Sequence, residues 1–162
     1  VERRVAEALP DKLEKLPGVS HSFRAVVRGE FPELSYPNDD ELILKEGAQV
    51  MFVKNDLSPE KLFFNGKIGK VEAVEEDRIV VICPEERFPI YVEKAEWQNM
   101  RYTLDEDTKE LEETVIGTFT QYPLRLAWAI TIHKSQGLTF DRAVIDARSA
   151  FAHGQVYVAL SR

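Results

Sequence analysis

Near the end of the chain, Thr131, His133, Lys134, Ser135 and Gln136 crowd into one short polar segment closed by Gly137. They offer two hydroxyls, an imidazole, an ammonium and an amide, a set suited to gripping phosphate oxygens. No nucleophile–base pair stands out among them. Gly137 lets the backbone pass close to a ligand or turn through positive φ. A second segment, Gly154–Arg162, places Gln155, Ala159 and Arg162 on one helical face at i, i+4 and i+7, with Val156 and Leu160 as the packing stripe beside them. A guanidinium held in that way can meet charge developing on a transferred phosphoryl group, as an arginine finger does.

Other chemistries lack their residues. One cysteine, Cys83, and three histidines provide no zinc-ligand spacing, and a lone cysteine excludes an internal disulfide framework. It points instead to a reducing, cytoplasmic setting. The acidic groups Asp39-Asp40-Glu41, Glu75-Glu76-Asp77 and Asp105-Glu106-Asp107 read as solvated turns, not as paired catalytic carboxylates. No apolar run is long enough to span a membrane, and no secretory signal is visible.

The 162 residues carry 21 Lys and Arg against 28 Asp and Glu, a net charge of −7, which argues against a free-standing nucleic-acid binder. The charge is unevenly spread. Residues 123–162 hold five basic side chains (Arg125, Lys134, Arg142, Arg148, Arg162) against two acids (Asp141, Asp146), so any phosphate-seeking surface lies in the last quarter.

Elements must position these groups. Val1, Val5, Ala8, Leu9, Leu13 and Leu16 repeat at helical spacing and stop at Pro17-Gly18. The run Phe23–Val27 is β-rich, and Pro37-Asn38-Asp39-Asp40 signals a turn. From Leu42 the character is all-β: Leu42–Leu44, Gln49–Val53, Leu62–Phe64, Lys67–Val71, Arg78–Cys83, Phe88–Val92 and Val115–Phe119. Asn65-Gly66 between two apolar runs predicts a hairpin with both central residues at positive φ. Short strands at this spacing predict a small barrel of about five strands. Leu124–Ile130 then alternates as a half-buried strand, Thr131–Gln136 breaks the alternation, Ala143-Val144-Ile145 reads as a short buried strand, and Gly154 opens a helix. That order is an α/β pattern, so the fold class is an α/β domain interrupted by a small β-barrel. Trp128, Tyr157, Phe63, Phe64 and Phe119 are expected in the core. A strand that delivers a polar turn at its carboxyl end is also where ligands of α/β sheets bind.

Two runs carry a resemblance. Ala127-Trp128-Ala129-Ile130-Thr131-Ile132-His133-Lys134-Ser135-Gln136-Gly137 is similar to motif V of superfamily 1 DNA helicases of the RecD-like, 5′-to-3′ branch, and Gln155-Val156-Tyr157-Val158-Ala159-Leu160-Ser161-Arg162 resembles their motif VI. Gly47–Met51, Lys54-Asn55-Asp56 and Asn65–Val71 resemble the strands with which an SH3-like barrel begins in that family. The resemblance implies a partial second RecA-like domain over residues 1–46 and 120–162, interrupted by an SH3-like barrel over residues 47–119.

It further implies that Thr131, His133 and Lys134 contact single-stranded DNA, that Gln136 and Gly137 couple the DNA site to the nucleotide, and that Arg162 is the catalytic contact to the γ-phosphate. An acid that touches the ribose in some relatives is replaced here by Thr139. ATP with Mg2+ would be bound mainly by a first RecA-like domain, since no Gly-x-x-x-x-Gly-Lys-Ser/Thr occurs in these residues. The expected partners are therefore single-stranded DNA and that first domain, with no membrane and a monomeric state. The 162 residues alone are expected to be inactive as an ATP hydrolase. A non-catalytic β-barrel interaction module is the rival expectation.

Overall fold

The computed structural model describes residues 12–84, 86–104, 111–130, 132, 144–145 and 154–161. These form three antiparallel sheets. In the first, β1 (His21–Arg24) pairs with β3 (Glu41–Leu44). In the second, β2 (Val26–Gly29) pairs with β9 (Leu111–Gln121), which pairs in turn with β8 (Ala95–Leu104). The third has five strands in the order β10 (Leu124–Leu126), β4 (Gln49–Phe52), β5 (Ile68–Val74), β6 (Ile79–Ile82) and β7 (Ile90–Val92). A short 3-10 turn at Glu33–Ser35 and the helix α1 (Gln155–Leu160) complete the elements. Residues 12–14 are also helical, at the end of the helix expected to open the chain.

The alternation of side chains explains the core. Leu42 and Leu44 of β3, Val50 and Phe52 of β4, Val71 of β5, Ile79 and Val81 of β6, and Leu124 of β10 all point to one buried cluster. Phe119 lies fully buried in a second cluster, ringed by Phe31, Tyr36 and Trp97 at centroid distances of 4.8 to 5.9 Å. Gly117 shows why β2 and β9 approach so closely there. A Cβ at that position would stand 2.2 Å from the carbonyl oxygen of Glu30.

Several expectations change on the structure. The described residues are mostly sheet, and among them the five-stranded sheet is open, with β10 and β7 as its edges and no closed barrel. The run Phe23–Val27 divides at Ala25, whose N–H bonds to the Asp40 carbonyl, so β1 and β2 join different sheets. Leu62–Phe64 is not a strand. Gly66 has φ of 101° while Asn65 is not at positive φ, and the Lys67 N–H closes on the Phe64 carbonyl at 3.0 Å. That is a type II arrangement, which needs positive φ at one residue only. The reason lies in Phe63, which turns inward to stack on Phe52 at 4.3 Å and leaves Phe64 half-exposed, outside the core expected for it. The strand expected through Ile130 ends at Leu126. Val144 and Ile145, expected in a short buried strand, belong to no strand and are exposed.

Candidate functional site

β10 is the element that feeds the polar segment, and three interactions fix it. Along one edge it pairs with β4, with Leu124 opposite Phe52 and Leu126 opposite Val50. Gln49 and Ala127 extend that pairing: the Ala127 N–H donates to the Gln49 carbonyl, and the Gln49 side-chain amide donates to the Ala127 carbonyl, each at 2.9 Å. Along its other edge the side chain of Asn38 takes the place of a neighbouring strand. Its Nδ2 donates to the carbonyls of Tyr122 (2.8 Å) and Leu124 (2.9 Å), with Asn38 itself buried. Beyond β10, Trp128 packs against the core cluster.

Asn38 belongs to the turn Pro37–Asp40, whose composition indicated a solvated turn and gave no sign of a clasp. Gln121, also buried, ties the same turn down. Its Nε2 donates to the Phe23 carbonyl at 2.8 Å and reaches the Asp39 and Asp40 carbonyls of the turn at 3.4 Å, and its Oε1 accepts from the Tyr122 N–H. Burial raises the hydroxyl of Tyr122 above the ordinary tyrosine range, and the carboxylates of Asp77 and Glu93 add to the rise. Arg125, on the middle of β10, reaches Asp39 with Nη2 at 3.4 Å from Oδ1.

At the other end of the site, Gly154 caps α1 with φ of 82°, and the Val158 N–H to Gly154 carbonyl bond (2.9 Å) starts the helix. Its apolar side chains do not pack as expected. Tyr157, expected in the core, is 75% exposed, and of the stripe Val156 is 37% and Leu160 70% exposed. Thr131, His133, Lys134, Gln136, Gly137 and Arg162 lie outside the described residues, as do Ser135 and Thr139. The structure therefore describes the strand that leads towards the polar segment and the helix that leads to Arg162. Among the described residues no cluster of His, Cys, Asp and Glu could hold a metal ion, and no helix is long and apolar enough to cross a membrane.

The loop between β4 and β5 is held by its own side chains. Asp56 accepts from the Ser58 N–H, the Ser58 hydroxyl and the Leu62 N–H at 2.8 to 2.9 Å. Partial burial pushes its pKa up, but the two Ser58 bonds and the Leu62 bond outweigh that and hold it below the usual aspartate value.

No family model matches the chain. Individual proteins do. The chain is 31% identical over 175 residues to the ATP-dependent DNA helicase Pif1 of Campylobacter jejuni, an alignment covering all of this chain and 38% of that protein. It is 40% identical over 157 residues to human ATP-dependent DNA helicase PIF1, covering 93% of this chain and 23% of that protein. Among solved structures, unliganded Pif1 from Bacteroides sp. matches with a TM-score of 0.88 at 42% identity, over all of this chain and 36% of that one. Bacteroides Pif1 bound to ssDNA matches with a TM-score of 0.83 at the same identity and coverage. The homologues of this chain are thus Pif1 helicases, and the chain spans well under half the length of each.

Proposed function

With Pif1 helicases as its homologues, we propose that this chain is part of a Pif1-type, superfamily 1 ATP-dependent DNA helicase that translocates 5′ to 3′ on single-stranded DNA and unwinds duplex. The observation that carries the proposal is the match to Pif1 structures over the whole chain at 42% identity, with both polar motifs inside the matched region. In this reading residues 1–46 and 120–162 belong to the second RecA-like domain, and residues 47–119 form an SH3-like insert. The pairings of β10 with β4 and of β2 with β9 cross those boundaries, so the insert is hydrogen-bonded to the domain that holds it.

The roles follow from the chemistry of each side chain. Thr131 and His133 donate to the backbone phosphates of the strand and Lys134 supplies charge, so binding ignores base sequence. Gln136 and Gly137 stand between that contact and the nucleotide. Arg162 stabilises the charge that develops on the γ-phosphate when the cleft between the RecA-like domains closes. ATP is the fuel. Its phosphates and the accompanying Mg2+ are assigned to the first RecA-like domain, and no described residue of this chain is assigned to either.

The test uses the full-length protein that carries this chain, with duplexes bearing a 5′ or a 3′ single-stranded tail. The expected result is ATP-dependent unwinding of the 5′-tailed duplex only, with His133→Ala weakening oligonucleotide binding. Absence of salt-dependent oligonucleotide binding would overturn the proposal and leave an interaction module in its place.

A further inference from the structure

The run Gly47–Met51 shares in the family resemblance, yet none of the proposed roles uses it. With Lys45 it makes the turn by which the chain enters the insert, and that turn is tied to three separate segments. The Lys45 Nζ donates to the Leu16 carbonyl at 3.2 Å. The Gly47 N–H donates to the Val71 carbonyl at 2.7 Å, and the Val71 N–H to the Ala48 carbonyl at 2.9 Å. Gln49 holds the third segment, at Ala127, with two bonds. Its carbonyl accepts from the Ala127 N–H and its side-chain Nε2 donates to the Ala127 carbonyl, both at 2.9 Å. Ala127 is buried, so its carbonyl needs that donor.

Ala127 is where the ladder ends. β10 stops at Leu126, the chain bends at Trp128 and Ala129, and residues 127–130 join no strand. The Ala127 carbonyl and the Trp128 nitrogen belong to one planar peptide. Fixing the carbonyl therefore fixes the plane from which the chain turns away from β10. Trp128, which packs against the core cluster, holds the other side of that plane. We infer that Gln49 is a positioning residue: its amide sets the angle at which the chain leaves β10, and so governs how strongly single-stranded DNA stimulates ATP hydrolysis. The inference rests on the helicase reading. It adds a residue of the insert to the coupling between strand and nucleotide.

The test measures ATP turnover by the full-length protein with and without saturating oligothymidylate, together with Tm, for the parent and for Gln49→Met, Gln49→Glu, Gln49→Lys and His133→Ala. Gln49→Met keeps the length of the side chain and loses the donor. Gln49→Glu turns an acceptor toward the carbonyl. In both, the ratio of stimulated to basal turnover should fall by about ten- to hundredfold, the cost of a misplacement near 1 Å. The KM for ATP should change by less than about twofold, since the loss falls on kcat. Gln49→Lys restores a donor and should recover part of the ratio. A merely structural role lowers Tm and lowers stimulated and basal turnover by the same factor, which leaves the ratio alone. Gln49→Met, uncharged and of similar volume, carries the test if Gln49→Glu fails to fold. A ratio within about threefold of the parent's in Gln49→Met, or no recovery in Gln49→Lys, overturns the inference, while a loss of stimulation in His133→Ala leaves the helicase reading standing. A parent that single-stranded DNA does not stimulate overturns both.

Discussion

Asn38→Ala tests how β10 is held. The substitution removes two donors, 2.8 and 2.9 Å from the carbonyls of Tyr122 and Leu124, both in residues no more than 1% exposed. Each carbonyl left buried and unpaired costs about 1–3 kcal/mol. The loss is offset in part, because the orphaned Oδ1 of Asn38 disappears with the amide. The balance is a destabilisation of about 3 kcal/mol. For a unit of this size that lowers Tm by about 6–12 °C. Asn38→Asp should be worse, since a carboxylate cannot donate and would face two carbonyl dipoles in a buried place. Thermal unfolding of the full-length protein measures the shift, and hydrogen exchange over residues 120–127 assigns it to this edge. Wild-type Tm and protection in both variants would refute the clasp, and so would an Asn38→Asp variant more stable than Asn38→Ala.

Two further outcomes follow from the packing. Phe119→Ala empties the centre of the ring formed by Phe31, Tyr36 and Trp97 and should cost about 3–5 kcal/mol, read as a fall in urea midpoint; a cost below 1 kcal/mol would contradict the cluster. Asp56 has its pKa lowered in the folded chain, so its contribution to loop order is complete above the ordinary aspartate value of 3.8 and fades as pH falls through the lower folded value. Amide protection of Ser58 and Leu62 should therefore fall selectively under acid, whereas in Asp56→Asn it should be independent of pH over that range.

The strands that bury one face are legible from composition. Leu42–Leu44, Gln49–Phe52, Ile79–Ile82 and Ile90–Val92 are apolar runs between turn residues, and each is a strand. β8 left no such mark. Glu96–Leu104 sets polar residues on both faces, and its order comes from pairing with β9 along its whole length. The hairpin expected at Asn65-Gly66 failed for a tertiary reason, the inward turn of Phe63 onto Phe52. The site divides in the same way. The residues proposed to grip phosphate stand out by type and spacing, and Thr131, His133, Lys134, Gln136, Gly137 and Arg162 all fall outside the described residues. Asn38 could not have been found, because its role arises from contact between segments more than 80 residues apart.

The most direct measurement is the rate of ATP hydrolysis by the full-length protein, with saturating single-stranded DNA, before and after Arg162→Ala. An arginine that meets the γ-phosphate in the transition state accounts for about a thousandfold or more in turnover. The expected result is a loss of that size with oligonucleotide binding retained. Turnover within a few-fold of the parent would contradict the account.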